Sequence, residues 1–342
     1  MAERNPIKLC LVGCGRIARS HTQAVRELKG LAQIVCAVGT QTAATRSFCE
    51  EEGIARLYAT LEEALAQEDF EAVVLCLPNH LHKDFAIACF QAGKHVLVEK
   101  PMANTLEECD EMIRAADQAG RILMIGQSRR FYDAVFASKG YADAGEDGRL
   151  ISITAELMGY LPAAPTPWWN EKDKAGGLMI PIWGSHIIDY VLWMFGEAPS
   201  RVYCEAYSLN PSWEGEDEVT ILMGYPDDRF ATVKMSWNTR VGGADWKGEG
   251  KMLSSKDILY RRYVQLERAT LVLDDETLLT RNGAVVAEDA GTESNFAREY
   301  REFVAAIQEG RRPVADGREI RAVIQVQEAA LRSAREHCVV TL

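Results

Sequence analysis

At 342 residues, with 38 basic against 50 acidic side chains and a formal net charge of −12, the chain has room for two domains and lacks the basic balance of a nucleic-acid binder. Its 47% hydrophobic and 26% charged residues suit a globular chain with an ample core, and no apolar run reaches the roughly 18 residues of a membrane span. Nine cysteines, an odd number without a Cys-x-x-Cys pair, exclude a simple disulfide framework or zinc site and read as reduced core residues; Met1 to Pro6 lacks a signal-peptide layout, so the expected location is cytoplasmic.

The first 126 residues alternate strand and helix. Apolar runs at 7–12, 33–38, 72–77, 95–98 and 122–125 are short and nearly continuous, as strands buried on both faces of a parallel sheet must be. Between them, Ile17, His21, Ala24, Val25 and Leu28 recur at helical spacing, as do Leu106, Cys109, Ile113 and Ala116. Thr60-x-x-Glu63 and Thr105-x-x-Glu108 are capping boxes that open two of these helices. The alternation predicts a doubly wound α/β domain over 1–126. From 127 to 342 the texture is that of an α+β domain with an open, mostly antiparallel sheet. Strands are expected at 151–159, 201–208, 218–225, 229–237 and 269–274, with a hairpin turn at Tyr225-Pro226-Asp227-Asp228. Helices are expected at 184–195, around Phe296 to Ile307 and from Ile320 to Arg335, and the last two are free to pack back on the first domain.

Gly13-Cys14-Gly15-Arg16-Ile17-Ala18 follows a strand and opens a helix, the setting of a dinucleotide-binding turn. The first glycine permits the tight turn, the second lets backbone approach a pyrophosphate, and Ala18 lets helix and strand pack closely. The anion then meets the helix N-terminus. Twenty-one residues beyond Ala18, where an NAD-binding fold usually carries an Asp or Glu, stand Gly39, Thr40 and Gln41, with Arg46 nearby. No carboxylate is there to repel a 2′-phosphate, so NADP is favoured over NAD. The alternative is that Thr40 or Gln41 holds an unphosphorylated ribose.

Glu99-Lys100-Pro101 ends the strand-like run Val96-Leu97-Val98, at the sheet edge where ligands bind. Oxidising an alcohol removes a hydride from carbon and a proton from oxygen, and a lysine with a lowered pKa can take that proton. Alone, a Glu-Lys-Pro tripeptide is more often a surface turn.

Taken together, Pro78-Asn79-His80-Leu81-His82, Ala92-Gly93-Lys94-His95 running into Glu99-Lys100-Pro101, and Gln127-Ser128-Arg129-Arg130-Phe131 resemble the glucose–fructose oxidoreductase / inositol dehydrogenase / MocA family. The likeness extends to Phe303-Val304-Ala305-Ala306-Ile307 and Ser333. It implies hydride transfer on sugars, cyclitols or related polyols, and homodimers or homotetramers built through the C-terminal sheet. It also implies that Lys100 is the catalytic lysine, that Leu77, Pro78, Asn79, His82, Glu99 and Gln127 lie along the cofactor, and that Arg16 and Ile17 flank the nicotinamide. The family's second catalytic element is an Asp four residues before a His, after a glycine pair. Gly176-Gly177 and His186 fit that register, but Ile182 stands where the Asp belongs. The resemblance therefore leaves Lys100 and His186 to handle the proton, with Asp189 one helical turn on.

Substrate contacts are expected from Lys100, Arg130, Trp168, Trp183, His186 and Asp189, because sugar faces stack on aromatic rings. Specificity is expected in the loop 160–176 and in the stretch 237–250, with Trp237, Asn238, Arg240 and Trp246. No metal site is expected. Two other readings stay open: a family member that retains its cofactor and cleaves glycosides, and a nucleotide-binding sensor without catalysis, for which Ile182 is the motive.

Overall fold

Short apolar runs with no polar face suit strands covered on both sides, and the first part of the chain is built on such strands. In the computed structural model, which describes residues 5–164, 166–240 and 258–342, two compact units are formed. Residues up to 131 join 291–321 in the first; 132–290 and 322–342 make the second.

Six parallel strands form the sheet of unit one: β1 (Ile7–Val12), β2 (Ala32–Val38), β3 (Leu57–Tyr58), β4 (Ala72–Leu75), β5 (His95–Glu99) and β6 (Leu123–Gly126). Their order is β3-β2-β1-β4-β5-β6, the Rossmann arrangement. The crossovers are α1 (Ala18–Glu27), α2 (Ala43–Glu51), α3 (Leu61–Gln67), α4 (His82–Gln91) and α5 (Leu106–Ala119). Both expected capping boxes are present, each with hydroxyl and carboxylate satisfying amides reciprocally. The two-residue β3 was not anticipated; it is too short to carry a period. From the closing segment, α10 (Asn295–Glu309) packs on α1, and Met124 makes a bridge to Asp316.

Strand order reverses between β1 and β4, so the chain leaves them in opposite directions and a crevice opens at their carboxyl ends. There Gly13 has φ +93°, and a Cβ on it would sit 2.4 Å from the Cys76 carbonyl oxygen. Only glycine fits.

Unit two opens with α6 (Asp133–Ala144) and β7 (Leu150–Gly159), then the short α7 (Lys172–Ala175) and α8 (Met179–Ile182), and α9 (Gly184–Phe195). Strands β8 (Arg201–Tyr207), β9 (Glu218–Gly224), β10 (Phe230–Ser236), β11 (Ile258–Leu266), β12 (Thr270–Asp274), β13 (Leu278–Arg281) and β14 (Ala284–Glu288) follow. The closing helix α11 (Gly317–Glu336) leads to β15 (Val340–Thr341). The nine-stranded sheet runs β14-β13-β12-β11-β7-β10-β9-β8-β15, antiparallel apart from β7 beside β10. Pro226–Asp228 turns the β9–β10 hairpin, with Asp227 and Asp228 at positive φ.

Alternation sorts this sheet into two faces. Ile153, Ala155 and Leu157 of β7 point to the covered face, where α9 packs on β7 and β10 and α6 on β12 to β14. On the other face the register lines up Tyr203, Leu222, Thr232, Thr154, Tyr263, Val272, Thr280 and Val285 in one uncharged row across eight strands. Ser333 ties α11 to β8 from within: its buried hydroxyl accepts from Cys204 N at 2.9 Å and donates to Cys338 O at 2.6 Å. No single helix among the described residues is long and apolar enough to cross a membrane.

Candidate active site

The expected site residues fall in both units, Lys100 in the first and His186 in the second. In unit one, the glycine turn leaves β1 and enters α1. A Cβ on Gly15 would meet nothing within 4 Å, so the backbone there faces open space, and the first turn of α1 has no side-chain cap. An uncapped helix start under a side-chain-free backbone fits a pyrophosphate. Gly39, at the end of β2, packs against Cys14 Sγ and Thr45. Burial pushes the Cys14 thiol up to about 12, which keeps it protonated beside the anion site. Thr40 and Gln41 are exposed; Gln41 donates to Gly39 O at 3.2 Å, and Arg46 reaches Gln41 O at 3.4 Å.

At the ends of β4 and β5 the expected residues gather along the same sheet edge. Leu77 and Pro78 are half-buried and Asn79 is buried. His82 is fully buried, with Nδ1 2.9 Å from Pro101 O and Nε2 2.9 Å from Leu77 O. It ties the two segments of that edge together from beneath; burial lowers its pKa, and the carbonyls oppose that. Gln127, just past β6, is 1% exposed. Lys100 is half-buried, and its amine is lowered to about 8. Burial is the largest cause; Glu99 opposes it, while the Arg129 and Arg16 guanidiniums add to it. Arg130, expected against substrate, is committed elsewhere: it is 2% exposed, donates to Val314 O at 2.8 Å and pairs with Glu319 at 2.9 Å.

Behind Lys100 lies a polar cluster that the sequence reading did not single out. Glu99 Oε2 accepts from Lys100 N at 3.1 Å, and its Oε1 lies 2.9 Å from His21 Nε2. His21 Nδ1 lies 3.0 Å from the Tyr300 hydroxyl. Beside them Glu299 is wholly buried, and neither carboxyl oxygen has a hydrogen-bond partner among the described residues. Burial and the nearby Glu99 raise the Glu299 carboxyl well above its ordinary value, so it stays neutral. His21 and Glu299 were hidden because both fall in helical stripes of apolar neighbours.

In unit two, Gly176 (φ +75°) and Gly177 (φ +135°) turn the chain into α8. Glu216 Oε1 accepts from Leu178 N at 3.1 Å and from Ile180 N at 2.9 Å, capping that segment. Ile182 is 2% exposed, so an aspartate there would be buried and would need a hydrogen-bonding partner. His186, half-buried, and the buried Asp189 lie three residues apart on α9. Trp237, 0% exposed, is the hub of five indoles: Trp213 at 4.9 Å, Trp183 at 5.3 Å and Trp169 at 6.1 Å surround it, and Trp168 joins Trp169. Trp168 and Trp183 are the half-buried members. Arg240 stacks on Tyr160 at 3.7 Å, and Asn238 donates to Asp217 O; Trp246 and the rest of 241–250 lie outside the described residues.

The strand order, the side-chain-free turn and the open antiparallel sheet define a Rossmann protein with a second, sheet-built unit. The chain belongs to the GFO/IDH/MocA oxidoreductase family: residues 7–127 match the model described as "Oxidoreductase family, NAD-binding Rossmann fold", and 137–248 match that family's C-terminal domain. A 1,5-anhydro-D-fructose reductase of Ensifer adhaerens is 31% identical over 209 residues, 61% of this chain and 62% of that one. An NADP-dependent scyllo-inositol 2-dehydrogenase of Bacillus subtilis is 32% identical over 165 residues, 48% of this chain and 46% of its own length. The chain therefore spans about half to three fifths of those relatives. In fold it is similar to levoglucosan dehydrogenase solved with NADH and levoglucosan, with a TM-score of 0.88, 20% identity and coverage of 98% and 99%.

A carboxyl raised on folding favours the native state below its unfolded pKa and loses that advantage as pH rises. Glu299→Gln, which keeps the shape of the neutral acid, is expected to be more favourable to stability at pH 8 than at about pH 4.5. Urea unfolding at the two pH values checks this; an effect equal at both, or more favourable at the lower pH, contradicts a neutral Glu299.

Proposed function

We propose that this chain is an NAD(P)-dependent oxidoreductase moving a hydride between the nicotinamide and a hydroxyl-bearing carbon of a sugar, cyclitol or related polyol. The observation that carries the reading is Lys100: an amine lowered to about 8, at the carboxyl edge of a Rossmann sheet and on the same edge as the glycine turn. Gly13, Cys14 and Gly15 would hold the pyrophosphate, Arg16 and Ile17 would flank the nicotinamide, and Leu77, Pro78, Asn79, His82, Glu99 and Gln127 would lie along the cofactor. Bound nicotinamide supplies the hydride acceptor or donor. Neutral Lys100 takes the hydroxyl proton as the carbon becomes a carbonyl, and charged Lys100 returns it in reduction. His186 is the second proton-handling candidate. The activities named for the relatives, on anhydrosugars and inositol, support this substrate class.

Lys100→Ala is expected to lower kcat/KM by about 10²- to 10⁴-fold while nucleotide binding changes little. In the unsubstituted enzyme, kcat/KM for oxidation should rise with pH to a plateau above about 8, and that for reduction should fall over the same range. Near-normal turnover by the alanine variant removes the reading. His186→Ala, assayed in parallel, tests the second group separately.

NADP is the proposed cofactor, because no carboxylate stands at Gly39-Thr40-Gln41-Thr42 and the exposed Arg46 lies beside Gln41. Fluorescence titration should give tighter binding of NADPH than NADH, with Arg46→Ala losing about tenfold for NADPH alone. Preference for NADH in the unsubstituted protein rejects this assignment.

A second copy of the chain is the proposed cover for the uncharged outer row of the sheet, where Leu222 is 45% and Tyr263 38% exposed. Sedimentation velocity should find a homodimer or homotetramer that Leu222→Lys with Tyr263→Lys splits. A monomeric starting protein contradicts it.

A further inference from the structure

Beneath Lys100 the first unit holds a hydrogen-bonded chain that the proton chemistry above does not use. Its members come from three distant parts of the sequence: Glu99 at the end of β5, His21 on α1 and Tyr300 on α10. All are sealed from solvent, Glu99 at 7% exposure and His21 and Tyr300 at 0%. The 2.9 Å contact from His21 Nε2 to Glu99 Oε1 fixes one carboxyl oxygen, and Lys100 N at 3.1 Å fixes the other. Nε2 must donate to an ionised carboxylate. In the neutral ring that leaves Nδ1 to accept, and the Tyr300 hydroxyl, 3.0 Å away, is the donor it faces. The hydroxyl is held protonated by burial, with the Glu99 carboxylate adding to the effect. Phe296, also on α10, stands edge-on to the imidazole at 5.2 Å and restricts its rotation.

We propose that His21 and Tyr300 are positioning residues that hold Glu99 ionised and oriented behind Lys100, so that the protonation of the lysine is set from within the first unit. This rests on reading Lys100 as the proton-handling group. The titratable groups facing Glu99 are His21 from α1, Tyr300 and Glu299 from α10, Cys76 after β4, His82 from α4 and Lys100 beside it, while β6 meets it with Gly126. Lys100 in turn faces Glu99 against Arg129 and Arg16, one anion against two cations. Glu299 stays neutral, so Glu99 is the single negative charge of the cluster, and its ionisation depends on the imidazole donor. Loss of that donor lets Glu99 take up a proton, and Lys100 then faces the two guanidiniums without compensation. Its amine would lose its own proton at a lower pH.

The test is the titration of Lys100 in the full chain, without cofactor or substrate. Trace acetylation with acetic anhydride across about pH 6 to 11, read by mass spectrometry of the peptide holding Lys100, reports its neutral fraction. His21→Ala should shift the midpoint down by about one unit, a roughly tenfold larger neutral fraction at a pH below the midpoint. Tyr300→Phe should shift it the same way by less. His21→Gln, whose amide nitrogen can stand where Nε2 stood, should recover most of the original midpoint. Midpoints unchanged in both His21→Ala and Tyr300→Phe, or an upward shift, overturn the proposal. Should His21→Ala fail to fold, Tyr300→Phe, which removes one oxygen, decides alone. Because no turnover is measured, the result is independent of the activity: an active Lys100→Ala removes the functional reading, whereas an immobile midpoint removes the positioning role.

Discussion

The approach of Gly13 to the Cys76 carbonyl is the contact around which the first unit is arranged. A Cβ at 2.4 Å would push β1 and β4 apart at the point where their connections diverge. Their closeness shapes the crevice, aims the uncapped start of α1 across it, and brings the ends of β4 and β5 alongside. His82 then fixes the segments at Leu77 and Pro101 to one another. Lys100 owes its place to that edge, and its lowered basicity to what lies under it.

Much of this was legible in the residues. β1 runs over the expected 7–12, α9 over the expected 184–195, and both capping boxes form, because apolar runs, helical spacing and hydroxyl–carboxylate pairs are local signals. What escaped was set by distant partners. β11 reads poorly as a strand because Arg262 falls on its buried face. There the guanidinium lies 3.7 Å over the Tyr260 ring and 5.0 Å from Tyr190, so the fold neutralises what the pattern counts as a break. β13 and β14 are short outer strands whose residues are mostly half-buried or exposed, which blurs their alternation.

The candidate site divided along the same line. The turn at Gly13 and the lysine at 100 are contiguous motifs and could be read directly. Arg130 stands in an equally suggestive run, yet Val314 and Glu319, nearly two hundred residues away, claim it. His21 and Glu299 sat in apolar stripes, and their polarity acquired meaning only when α1 met α10. The loss of the family's usual aspartate is equally a matter of surroundings. Ile182 is buried in a segment whose preceding backbone is held by the Glu216 carboxylate, so an aspartate restored there would have to offset the cost of burial through its interaction with His186, four residues on.

The indole cluster of unit two has an optical consequence. Rings whose centroids are 4.9 to 6.4 Å apart exchange excitation far faster than they emit, so the five behave as one chromophore. Emission from such a set is weighted toward its lowest-energy members, the half-buried Trp168 and Trp183 that feel solvent. Trp183 is the residue from which the His186 helix springs. The cluster's share of the emission, beside that of Trp193 and Trp246, thus reports on the start of that helix with no label attached.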